Sequence, residues 1–168
     1  MRITKTTRVI LAGLIMAVAL SWQLSFAQEE TTVKVGNVKL TYMVPAVMDV
    51  PERIEPKNDT DWAAKVNNKN TEVIEVLNIL NPVAAYLSAA FEQYGDKFSE
   101  IATEEWDDTV AYLTKATTLY GDCQKRMEAE KFDKKLFLNL EESWQLLVKV
   151  GVAGIRTKTM VDDEFNRM

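Results

Sequence analysis

Between Thr31 and Tyr42 apolar and polar side chains alternate: Val33, Val35, Val38 and Leu40 are apolar, and Lys34 and Lys39 stand between them. A period of two predicts strands, and Gly36-Asn37 at the centre supplies the positive φ that a two-residue hairpin turn demands. In that register Val35 faces Val38 and Val33 faces Leu40, which gives one apolar face. Lys34 then opposes Lys39, an unfavourable cross-strand pair. A lone two-stranded hairpin is marginal in water, so it must lean on other elements. The competing reading is an irregular arm wrapped over helices.

The pattern then changes. Pro45, Pro51 and Pro56 block a helix across residues 44–58, which reads as a connector. Asn58-Asp59-Thr60 has the form of a glycosylation sequon, but a surface turn before a helix explains it as well.

Beyond it the period becomes helical. Val73, Leu77, Leu80, Ala84, Leu87, Phe91, Tyr94, Phe98 and Ile101 recur at spacings of four and three. Trp106, Val110, Leu113, Thr117 and Tyr120 repeat that spacing, flanked by Tyr112, Ala116, Leu119 and Cys123. Phe132, Leu136, Leu140, Trp144, Leu147, Val148, Gly151 and Ile155 form a last amphipathic stretch. Such stripes are core far more often than they line a cofactor pocket.

Breaks are expected at Asn81-Pro82, as a cap followed by a first-turn proline, and at Gly95 and Gly121, as C-terminal caps. A partial repeat supports both glycine turns. Ala85-Tyr86-Leu87 leads to Tyr94-Gly95-Asp96, and Ala111-Tyr112-Leu113 leads to Tyr120-Gly121-Asp122 in the same way. The expected fold is therefore mainly α, a four- or five-helix antiparallel bundle with a short N-terminal β-hairpin or extended arm.

The first 27 residues change the setting. Arg2, Lys5 and Arg8 precede an apolar run from Val9 to Leu20, and Ser25-Phe26-Ala27 supplies small residues at −3 and −1 of a cleavage site. A core of about a dozen residues is short for a membrane span. The expectation is a signal peptide over 1–27, cleaved after Ala27, and a secreted or periplasmic protein with no stable membrane span after cleavage. The remaining segments are a hairpin or arm with connector over 28–58 and a helical bundle domain over 59–168.

Charge and composition mainly exclude. Three of the 20 basic residues and none of the 25 acidic ones lie in the leader, so the remainder carries a net charge of −8. That argues against nucleic acid and anionic membranes as partners. The 168-residue chain has no histidine, which removes Ser-His-Asp and Cys-His catalysis, histidine-ligated zinc and haem. An exported helical bundle resembles the cytochrome c′ architecture. However, Cys123-Gln124-Lys125-Arg126-Met127 lacks the second cysteine and the histidine that hold haem. The single cysteine, Cys123, forbids an intrachain disulfide and reads as a core group, with interchain pairing or reactivity as the rival.

Glu104, Glu105, Asp107 and Asp108 around Trp106 form the densest carboxylate cluster. Acid–base work is the sharp reading. A first helical turn capped by Thr103, with acids favouring the helix dipole, is the plain one and the better supported. Gly151 and Gly154 suggest close packing or helix termination, and Val161-Asp162-Asp163-Glu164 reads as a frayed, solvated tail.

No catalytic, cofactor or metal residues are assigned. The sequence points to an exported non-catalytic helical domain that binds a protein partner or a small apolar ligand. The alternatives are a structural subunit of a cell-envelope assembly and a carboxylate-dependent enzyme. A homo-oligomer is compatible with each.

Overall fold

The computed structural model describes residues 28–168, so the expected leader and its cleavage site lie outside the described residues. Two strands, β1 (Gln28–Val35) and β2 (Val38–Pro45), are followed by three helices: α1 (Trp62–Tyr94), α2 (Glu100–Glu128) and α3 (Lys134–Phe165). The protein is mainly helical with a small antiparallel sheet.

The hairpin has the expected register, Val35↔Val38, Lys34↔Lys39 and Val33↔Leu40, and it extends to Gln28↔Pro45. Gly36 has φ +58° and Asn37 does not share it. A positive φ at the first central position alone fits a type II′ turn. Lys34 and Lys39 both point to solvent, which softens their opposition. On the other face Val38 and Leu40 are buried.

Among the described residues, three helices stand where four or five were expected. Asn81-Pro82 does not separate helices: Pro82 lies inside α1. Its missing N–H leaves the carbonyl of Asn78 without its helical donor, while Leu77, Leu80, Ala85 and Leu87 on either side are all buried. Packing on both flanks holds the helix through a proline that propensity alone would place at a boundary. Gly121 likewise sits within α2, between buried Tyr120 and buried Cys123. Only Gly95 marks a break, in the turn after α1. A Cβ there would collide with the carbonyl oxygen of Phe91. The apparent repeat thus does not place its copies alike, since Tyr86 is buried and Tyr112 is exposed.

Side chains at each start explain why the helices begin where they do. Asp61 Oδ1 accepts from Ala64 N (3.2 Å) at α1, Ser99 Oγ accepts from Ala102 N (3.3 Å) at α2, and Asp133 Oδ1 accepts from Leu136 N (2.7 Å) at α3. The backbone bonds hold the Asp61 and Asp133 carboxyls below the usual carboxylate range. Ser99, not Thr103, caps α2; Thr103 lies a turn inside and donates to the Ser99 carbonyl. At the far end of α2, Lys131 N bonds Arg126 O (3.0 Å) and Glu130 N bonds Met127 O (2.9 Å). That is the Schellman pattern, with Glu130 at φ 53° in the place glycine usually takes.

The chain falls into two compact units. Of the described residues, the hairpin unit comprises 28–46, Asn81–Val110 and Ala153–Met168. The connector unit comprises Val47–Leu80 and Ala111–Val152. In the hairpin unit Phe91 stacks on Trp106 (5.3 Å, 8°) and meets Phe98 edge-on (4.9 Å), while Phe165 contacts Tyr94 (5.3 Å) and Phe98 (5.2 Å). The expected frayed tail is therefore helix: Val161 and Phe165 are fully buried, and Glu164 accepts from Ser99 N (2.9 Å). Gly36 closes on this end, where an added Cβ would lie 2.8 Å from Phe165 O.

The connector unit has an aliphatic core of Val66, Val73, Leu77, Leu136, Leu140, Leu147 and Val150. Gly151 packs closely in it, with a Cβ position 3.2 Å from Leu80 Cδ2, and so does not end α3. The proline-containing connector is laid against α1 by asparagine amides that read its backbone. Asn78 bonds both N and O of Met48 (2.8 and 2.9 Å), and Asn68 bonds both N and O of Ile54 (2.7 Å each). Asn67 donates to Glu52 O (2.8 Å) and Thr71 to Pro51 O (3.1 Å).

Candidate ligand-binding groove

On the connector unit the start of α1 presents Trp62, Lys65, Asn68, Lys69 and Glu72 along one face, and Phe137 from α3 stands opposite. The spacings of three and four put these α1 residues on one side of the helix. Together they line an open groove of about 370 Å³, which is within the range of small-molecule sites. The Trp62 and Phe137 rings form its apolar part as a contacting pair, with centres 6.1 Å apart and planes tilted by 52°.

Two ammonium groups sit among these rings in different states. Lys69 lies over Trp144 (5.2 Å) and Phe137 (5.9 Å), and its Nζ is 2.7 Å from Glu72 Oε2. Lys65 lies over Trp62 (5.0 Å) and donates one hydrogen bond to the Asp59 carbonyl (2.7 Å). An ammonium has three donors, so Lys65 retains two. The nearby Asp61 carboxylate is committed to Ala64 N and Lys57 N. The lining side chains sum to one positive charge, which the Asp61 carboxylate beside Lys65 offsets.

The residues singled out by sequence go elsewhere. Trp106 is buried in the hairpin unit, Glu105 pairs with Arg156 (3.2 Å), and Asp108 faces solvent. Among the described residues no group of three or more His, Cys, Asp or Glu side chains could hold a metal ion. Cys123 is fully buried, and burial pushes its thiol up to about 11. As folded, it is closed both to thiolate chemistry and to pairing with another chain.

A polar cluster that no sequence pattern suggested lies in the hairpin unit. Buried Tyr86 donates to Asp162 Oδ1, whose other oxygen is 2.5 Å from Lys158 Nζ, and that ammonium rests 4.6 Å from the Tyr86 ring centre. Burial first, then the bond to Asp162, raises the Tyr86 phenol far above its ordinary value. A phenol held so firmly protonated is no base at neutral pH. The cluster ties α1 to α3.

By length and composition α1 is apolar enough to cross a membrane, and half of that window is buried inside the protein. Comparison with protein-family models, with curated proteins and with solved structures returns no match to this chain.

Proposed function

We propose that the protein is an exported, non-catalytic helical domain that binds a small apolar ligand in the groove lined by Trp62 and Phe137. One observation carries this reading. These two rings touch each other at the rim of the unit, with Lys65 and Lys69 beside them, and leave an open groove unfilled above a core built mainly of Leu, Ile and Val. The leader-like first 27 residues support export. The absence of histidine, the dispersal of the carboxylates and the burial of Cys123 favour binding over catalysis. With half of its apolar window already packed, α1 reads as a core helix and not as a membrane span.

The test is a fluorescence titration of the mature chain with the neutral probe N-phenyl-1-naphthylamine. Saturable enhancement is expected, with at least a tenfold loss of affinity in Trp62→Ala and Phe137→Ala at unchanged helical circular dichroism. No saturable enhancement, or full affinity in both variants, overturns the reading.

A further inference from the structure

The hairpin leaves one edge open. Its two-residue turn closes on Val35↔Val38 as a hydrogen-bonded pair, and such pairs alternate along an antiparallel ladder with pairs that exchange no bonds. Lys34↔Lys39, Thr32↔Thr41 and Glu30↔Met43 are of the second kind, so the N–H and C=O of each residue point away from the neighbouring strand. On the β2 side, Thr41 O accepts from Gln93 Nε2 of α1 (3.2 Å). On the β1 side, the outward groups of Glu30, Thr32 and Lys34 meet no partner among the described residues. The helices cover β2 more than β1: Val38 and Leu40 are buried, whereas Thr31, Val33 and Val35 on the same face of β1 are only half-buried. An edge strand with open backbone groups accepts another strand.

The charges on this edge select which strand. We infer that β1 pairs antiparallel with β1 of a second copy of this chain, in the register that sets Thr32 opposite Thr32. Outward-facing residues must meet outward-facing residues, so the possible registers differ by steps of two. Centring on Thr32 alone sets Glu30 opposite the second copy's Lys34 and Lys34 opposite its Glu30. Centring on Glu30 or on Lys34 would oppose like charges. Neither side chain has an ion-pair partner among the described residues. The register also answers the misfit within the hairpin, because Lys34, opposed by Lys39 on one side, gains a carboxylate on the other. On the inner face each half-buried Val33 comes opposite Thr31 of the other copy. Three opposed pairs exchange about six backbone bonds over a strip narrower than a standard interface, so the dimer is weak, with a dissociation constant of about 10 to 100 µM.

The test is sedimentation equilibrium of the intact mature chain from about 5 µM to about 1 mM, across which the parent is expected to pass from monomer to dimer. Thr32→Pro removes the central donor of each strand without touching the β1–β2 ladder, whereas Thr32→Ala loses the same hydroxyl and keeps the donor. The first is expected to stay monomeric and the second to dimerise like the parent. Glu30→Lys and Lys34→Glu each set like charges opposite one another and are expected to dimerise about tenfold more weakly. An equimolar mixture of these two is expected to recover near-parental affinity, because each then faces the opposite sign. Circular dichroism verifies the fold of every variant, and if Thr32→Pro does not fold, the mixing experiment decides. A parent that is monomeric at the highest concentration overturns the inference and leaves the edge to a strand of another protein. So does a dimer that Thr32→Pro leaves intact, which would lie on a different surface, or a pair of charge variants that mixing does not rescue.

Discussion

The two units use the same kinds of residue to opposite ends. In the hairpin unit the aromatics are the core: Tyr86, Phe98, Trp106 and Phe165 are all at most 9% exposed. In the connector unit Leu, Ile and Val fill most of the interior around one buried ring, Tyr120, and Trp62, Phe137 and Trp144 are left half-buried at the rim beneath lysine heads. Aromatic content therefore says little by itself. A ring that fills volume contributes stability, and a ring that borders unfilled volume is available to a ligand.

The sharpest way to break this contrast is to truncate one ring of each kind. Phe165→Ala removes a fully buried side chain with two aromatic neighbours and is expected to cost about 3 to 5 kcal/mol. Phe137→Ala removes a half-buried ring facing an open groove and is expected to cost about 1 kcal/mol. Urea unfolding followed by circular dichroism reads both. Equal losses would mean that Phe137 is core as well.

Much of this division was invisible in sequence. The hairpin register followed from local alternation alone, because a period of two and a two-residue turn leave one solution. Helical periodicity also located the amphipathic stretches, but it misjudged individual faces. Ile101 is 68% exposed because its phase relative to Phe98 is lost across the break at residues 95–99. Phe132 lies before α3 begins, so it never joins that helix's face. Val148 and Ile155 belong to a stripe that drifts about 20° per heptad around a straight helix, and both end outside.

Boundaries failed where tertiary packing overrode propensity, at Pro82 and Gly121. The groove left a partial trace in sequence: Trp62, Lys65, Lys69 and Glu72 follow a three-four-three spacing. Phe137 belongs to another helix 65 positions beyond Glu72, and no single-helix pattern could bring it opposite.

Alkaline titration sharpens the account of the connector-unit interior. Burial raises Cys123 from 9.0 to about 11 and Tyr120 from 10.0 to about 12. Each group stays protonated in the folded chain after the unfolded chain has released its proton. The stability each provides is whole below its unfolded value and is lost as pH rises, over about pH 9 to 11 for Cys123 and 10 to 12 for Tyr120. The Cys123 share amounts to about 2 to 3 kcal/mol. Unfolding free energy is thus expected to fall more steeply between pH 8.5 and 11 in the parent than in Cys123→Ala. Parallel curves would place the thiol in contact with water.

A matched pair of changes concerns the two left-handed residues among those described, one in each unit. Gly36 turns the hairpin at φ +58°, and its missing Cβ leaves room for the backbone at Phe165 and Asn166. Gly36→Ala adds both a conformational penalty and a steric one against rigid backbone, for a loss of about 1 to 3 kcal/mol. Glu130 adopts nearly the same φ at the exposed end of α2, where nothing in the backbone bonding requires a side chain. Glu130→Gly relieves about 1 kcal/mol of left-handed strain, and the added freedom of glycine in the unfolded chain returns part of it. A net gain of about 0.5 kcal/mol is expected in urea unfolding. A loss instead would show that the Glu130 side chain, and not the Schellman bonds alone, holds the end of α2.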